Sequence, residues 1–131
     1  MIGIDTNILI RHLDQDDPIQ SPRATRIIEH LLTEDRPGFI SLVTIAEIVW
    51  VLRSIYRMSD AAVATAIEQL LQADTLAIQN EREVYIAMMA LRNDTASFDD
   101  ALIGALGTWA GCTTTCTFDR KAARLKEFKL A

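Results

Sequence analysis

Short apolar runs alternate along the chain with longer stretches in which apolar residues recur every three or four positions. Residues 1–4 read as a short buried strand ending at Asp5, and residues 6–13 as the helix after it. Ser21 followed by Pro22 predicts an N-cap with proline at the first helical position, and Ile27, Ile28, Leu31 and Leu32 share one face of that helix, which ends before Pro37. Residues 38–41 predict a second strand and residues 42–56 a strongly apolar helix. Ser59 predicts the cap of the next helix, where Ala62, Val63, Ala66, Ile67, Leu70 and Leu71 keep helical spacing. Residues 75–79 predict a third strand, and Asn80 with Glu83 a capping-box-like start for a helix to about Arg92. Ser97 predicts the cap of a helix over 98–110, with Gly111 placed to end it. The Thr-rich segment 112–118 predicts a fourth strand, Asp119 the cap of a short helix to about Leu125, and 128–130 a last edge strand.

Strands alternating with helices predict an α/β domain with a mainly parallel sheet. Such sheets bind ligands beyond the carboxyl ends of their strands, which is where Asp5 and Asp119 fall. The 131 residues suit one domain, 1–131, with no repeat, low-complexity tract or linker.

Composition narrows the class. Half the residues are apolar and 24% charged, which excludes disorder for the chain as a whole. No apolar run approaches the roughly 20 residues that span a bilayer, and the first ten lack a basic lead and a small-residue cleavage site. The expectation is a cytoplasmic protein with no membrane partner. Cys112 and Cys116, if they share a strand, stand about 13 Å apart, too far for a disulfide, and are expected to be buried apolar thiols. The net charge of −5 disfavours non-specific binding to phosphates, although bound divalent cations would reverse the sign locally.

Four carboxylates are embedded in apolar sequence: Asp5, Glu47, Asp100 and Asp119. The first three have no Lys or Arg within four positions. Were the four to converge at about 5 Å, each pair would repel by roughly 3 kcal/mol at an effective dielectric of about 20. Divalent cations relieve that repulsion, and hard oxygen ligands select Mg²⁺ or Mn²⁺. Other readings stand beside this one. Asp5 and Asp119 can be helix caps, and Glu47, in mid-helix, the partner of a distant Arg. Asp100 falls in a first helical turn, where an acid is favourable in any case. Neighbouring Asp99 competes with it. Asp100 shares a helix face with Gly104 and Gly107, whose small side chains leave room for a metal, whereas Asp99 shares its face with Leu102, Ile103 and Leu106. Asn7, Thr44 and Thr117 lie two or three positions from the acids and can orient them. His12 and His30 carry no assigned role.

At these residues the sequence resembles the PIN-domain nucleases, and among them the VapC toxins of bacterial toxin–antitoxin pairs. The resemblance rests on Gly-Ile-Asp-Thr-Asn-Ile-Leu-Ile-Arg at 3–11, Ser-Leu-Val-Thr-Ile-Ala-Glu at 41–47, Phe-Asp-Asp-Ala-Leu-Ile-Gly at 98–104 and Thr-Phe-Asp-Arg-Lys-Ala-Ala at 117–123. Each motif alone is weak, but four in order across 4–123 make a specific signal. The resemblance implies a three-layer α/β/α domain with about five strands and an acidic pocket of Asp5, Glu47, Asp100 and Asp119. It selects Asp100 over Asp99, because the family's acid directly precedes the Ala-Leu-Ile run.

The activity implied is endoribonuclease hydrolysis of phosphodiester bonds with one or two Mg²⁺ or Mn²⁺ ions. RNA contacts are expected from Arg11, Arg53, Arg120 or Lys121, and the tail holds five of the thirteen basic residues: Arg120, Lys121, Arg124, Lys126 and Lys129. The implied partners are RNA, a cognate antitoxin and a second copy of the chain. The stretch with Trp50, Leu52, Ile55 and Tyr56 is either part of such an interface or core. Two rival classes remain. A haloacid-type phosphatase needs an Asp where Asn7 stands, and a receiver domain needs a late-strand Lys that has no counterpart. A non-catalytic PIN-like module should lack an acid, and none is missing.

Overall fold

The structure, a computed structural model, describes residues 1–131. Five strands, all paired in parallel, are separated mostly by helices, as the alternating pattern requires. The chain runs β1 (Ile2–Gly3), α1 (Thr6–Asp14), α2 (Gln20–Arg26), β2 (Gly38–Ile40), α3 (Leu42–Ser54) and α4 (Asp60–Gln72). It continues through β3 (Leu76–Ile78), α5 (Glu81–Arg92), α6 (Phe98–Trp109), β4 (Thr115–Thr117) and β5 (Phe128–Leu130).

The strands divide into two sheets rather than one. β1, β2 and β3 pair in that order, with Ile2 opposite Gly38 and Gly38 opposite Leu76. β4 and β5 form a separate pair, Thr115 opposite Phe128, joined by a 3-10 turn at Ala122–Arg124. No backbone hydrogen bond links β1 to β4. Both sheets therefore keep free edges, and apolar side chains near them lie open, Ile2 at 47% exposure and Phe118 at 88%.

Serine caps start three helices: the Ser41, Ser59 and Ser97 hydroxyls accept from the N–H groups of Thr44, Ala62 and Asp100. The start of α2 differs from the expected Ser21 cap. Asp17 Oδ1 accepts from the N–H groups of Ile19 and Gln20, so the helix begins earlier and Pro22 sits inside its first turn. Ser21 is instead buried, accepting from Asp17 N–H and donating to Asp14. A π-helical turn, Ile27–Leu31, extends α2, and it rotates Leu31 out to solvent while Ile28 and Leu32 stay in the core. Asn80, in the left-handed conformation, bonds the Glu83 side chain rather than capping backbone N–H groups. Cys112 and Cys116 are both exposed rather than buried: Cys112 lies in the connection between α6 and β4, and the β4 face that holds Cys116 is not covered.

One apolar cluster joins the elements. Leu9 of α1, Ile40 of β2, Ile45, Ile48 and Leu52 of α3, Val63 and Ile67 of α4, and Val84, Met88 and Leu91 of α5 are all buried in it. Phe98 is fully buried at the start of α6 and anchors the turn carrying Asp99 and Asp100. Gly104 and Gly107 do not leave space. A Cβ at Gly104 would lie 2.7 Å from Phe128 Cε2, and one at Gly107 2.6 Å from Thr115 Oγ1. These two glycines let β4 and β5 press against α6.

Candidate active site

Asp5 follows β1 directly and is the N-cap of α1, its Oδ1 accepting from Thr6 N–H at 2.8 Å. Thr6 itself is 5% exposed, and its hydroxyl donates to Glu47 Oε2 at 3.3 Å. One buried hydroxyl thus ties the loop holding Asp5 to the solvent-exposed carboxylate on α3. Thr6 stands within the first motif without an assigned role in the reading of the sequence. Its signal was there: a β-branched hydroxyl beside an acid, on the helix face that carries Leu9 and Ile10.

Asp100 is half-buried in the first turn of α6, where its own N–H bonds Ser97 Oγ at 3.1 Å. Asp99 is exposed and lines a recess against α3 with Val49, Trp50, Arg53 and Ser54. Asp119 follows β4. Its Oδ1 accepts from Lys121 N–H at 2.8 Å and Ala122 N–H at 3.3 Å, and its N–H donates to Thr117 Oγ1 at 3.0 Å. Thr117 Oγ1 thus meets the Asp119 backbone rather than its carboxylate. Thr44 is buried, and its hydroxyl bonds the Ser41 cap rather than Glu47. Asn7 lies on the α1–α2 side, in a recess with Arg11 and Arg23.

The structure therefore joins Asp5 and Glu47 through Thr6. It does not bring three acidic, His or Cys side chains into an arrangement able to hold a metal ion. Asp119 follows β4 of the β4–β5 pair, which has no backbone pairing to β1 but packs against α6 through Phe128 and Thr115.

The donor chemistry nevertheless suits a hard cation. The protein's three ion pairs are Arg11–Asp14, Arg53–Asp60 and Arg92–Glu68, so Asp5, Glu47, Asp99, Asp100 and Asp119 all lack a cationic partner. Carboxylate and hydroxyl oxygens are what Mg²⁺ or Mn²⁺ takes. Of the expected phosphate-binding residues, Arg11 and Arg53 are engaged in those pairs, whereas Arg120 and Lys121 are exposed and unpaired. Trp50 and Ile55 are exposed, Leu52 is buried, and Tyr56 donates to Asp14 Oδ2 at 2.5 Å. No helix is long and apolar enough to cross a membrane.

The family model described as PIN domain matches residues 2–128. The search of curated proteins returned no match.

Proposed function

Because the chain belongs to the PIN domain family, we propose that it is an endoribonuclease that hydrolyses RNA phosphodiester bonds with Mg²⁺ or Mn²⁺, as the toxin of a toxin–antitoxin pair. PIN domains are generally metal-dependent nucleases that bind RNA. The observation that carries the reading is the Asp5–Thr6–Glu47 linkage, together with the absence of a cationic partner for Asp5, Glu47, Asp100 and Asp119.

Asp5 and Glu47 supply the first oxygen donors in this reading, and Asp100 and Asp119 the remaining ones. A bound divalent cation would lower the pKa of a water and stabilise charge developing on the phosphate. Thr6 holds the Glu47 carboxylate in place through its hydroxyl, and the Ser97 cap fixes the turn that presents Asp100. Arg120 and Lys121, next in sequence to Asp119 and free of ion pairs, neutralise the substrate's phosphates. An antitoxin segment would dock in the apolar groove of about 410 Å³ between α1, α3 and α4, lined by Leu13, Leu52, Tyr56 and Met58. A homodimer and a cytoplasmic site of action complete the proposal.

Incubation of purified protein with end-labelled RNA, with EDTA or with added Mg²⁺ or Mn²⁺, tests it. Cleavage that needs the cation and disappears in Asp5→Asn is expected. Cleavage that survives Asp5→Asn or EDTA overturns it, and a protein that binds RNA without cutting it is a non-catalytic module.

A further inference from the structure

The recess between α3 and the start of α6 has no part in the scheme above, yet its lining is unusual. Trp50 leaves 62% of its surface in water, so much of its indole is open to a partner. It lies three residues after Glu47, so the two are neighbours on one helix face. Asp99 faces it from α6, and its carboxylate makes neither an ion pair nor a hydrogen bond within the protein. Arg53 closes the recess and uses Nε for Asp60 at 3.3 Å, leaving its two terminal nitrogens free. The volume is about 240 Å³, below the roughly 300–1,000 Å³ of sites for drug-sized molecules.

We propose that Trp50, Asp99 and Arg53 form a nucleobase subsite, adjoining the acid on α3, that selects guanine in single-stranded RNA. This rests on the nuclease reading and adds a specificity to it. An exposed indole face is a stacking platform for any base. The unpaired carboxylate supplies the discrimination, because it only accepts hydrogen bonds. Guanine presents two adjacent donors on its Watson–Crick edge, N1–H and the N2 amine, which one carboxylate accepts in parallel. Adenine and cytosine offer an amine beside an acceptor, and uracil sets its N3–H between two carbonyl oxygens that a carboxylate repels. The free terminal nitrogens of Arg53 meet the flanking phosphate. Asp99, the extra aspartate beside Asp100, thereby gains a role in binding a base rather than a metal.

The test reads binding without cleavage. The chain has two tryptophans, so Trp109→Phe leaves Trp50 as the sole emitter, and Trp109 is exposed enough to be replaced safely. The probe is a 2′-O-methyl hexaribonucleotide of uracil with one guanine, titrated in EDTA. Saturable quenching of Trp50 is expected. Replacing guanine with inosine, which lacks the N2 amine, or introducing Asp99→Asn should weaken binding by roughly 5- to 150-fold. With a labelled probe read by anisotropy, Trp50→Ala should cost a similar factor. Equal affinity for guanine, inosine and all-uracil probes overturns the proposal. So does emission that shifts with protein concentration before RNA is added, since a second copy of the chain would then cover Trp50. Guanine-selective binding by a protein that cuts no RNA would leave the subsite standing and remove the hydrolase reading instead.

Discussion

Replacing Gly104 with alanine sets two effects of opposite sign against each other. Inside α6 the change should stabilise the helix by roughly 0.8–1.0 kcal/mol. The added Cβ, however, would lie 2.7 Å from Phe128 Cε2 and 3.2 Å from Glu127 Cβ, well inside the roughly 3.5–4.0 Å of favourable carbon contact. Phe128 is held on β5 by its register with Thr115, and Glu127 Cβ crowds the same point, so relief requires both the ring and its neighbour to shift. Overpacking of this kind costs about 1–3 kcal/mol. The steric effect is the larger, and Gly104→Ala should destabilise the protein by up to about 2 kcal/mol. Removing the ring reverses the sign: in a Phe128→Ala background the same change should stabilise by up to about 1 kcal/mol. Urea unfolding followed by circular dichroism reads both differences, provided the slope against denaturant is unchanged. Equal stabilisation in the two backgrounds would refute the reasoning, because it would mean that β5 is not seated on α6.

Other consequences concern separate parts of the molecule. Thr6→Val removes the hydroxyl that Glu47 accepts from while keeping the shape, so single-turnover RNA cleavage should fall about 10–100-fold, with recovery in Thr6→Ser; an unchanged rate counts against the linkage. The Tyr56 phenol is held above its usual value of 10.0, chiefly by its hydrogen bond to Asp14. A raised folded-state value contributes stability that is present below the unfolded value and lost as pH rises through the folded one. The advantage of wild type over Tyr56→Phe in unfolding free energy should therefore shrink as pH climbs past 10.0, and a constant gap would contradict this. Both cysteines are exposed, so both should react promptly with an aromatic disulfide reagent under native conditions. A reaction that waits for unfolding would show that they are covered.

Much of the fold is legible in local signals. Ser59 and Ser97 cap the helices their positions predict, and the apolar spacing from Val63 to Leu70 matches the buried face of α4. These features depend on neighbours within a few residues. The misplacements arise where two local signals compete or where a distant residue decides. Asp17 outcompetes Ser21 for the start of α2 because its carboxylate reaches two N–H groups at once, while Ser21 is drawn inward to Asp14. Leu31 turns outward because a π-helical turn breaks the 3.6-residue period on which its burial was inferred. Gly104 and Gly107 do mark a close approach, but sequence spacing cannot say whether an ion or a neighbouring strand fills the space, and Phe128 and Thr115 fill it. The Thr-rich pattern of β4 marks a strand without naming its partner. Pairing with β5 rather than β1 leaves Cys116 exposed. For the site, the isolated acids stand out by their apolar surroundings, whereas the Thr6 hydroxyl, placed beside Asp5 by the sequence, meets Glu47 only once α1 and α3 are packed together.

The account turns on carboxylates from distant segments acting together on one divalent cation. Calorimetric titration of the metal-free protein with Mn²⁺ measures this without RNA or turnover. Binding that weakens in each of Asp5→Asn, Glu47→Gln, Asp100→Asn and Asp119→Asn, while Asp99→Asn leaves it unchanged, is the predicted result. Failure of Mn²⁺ to bind, or binding indifferent to Asp5→Asn, would contradict it.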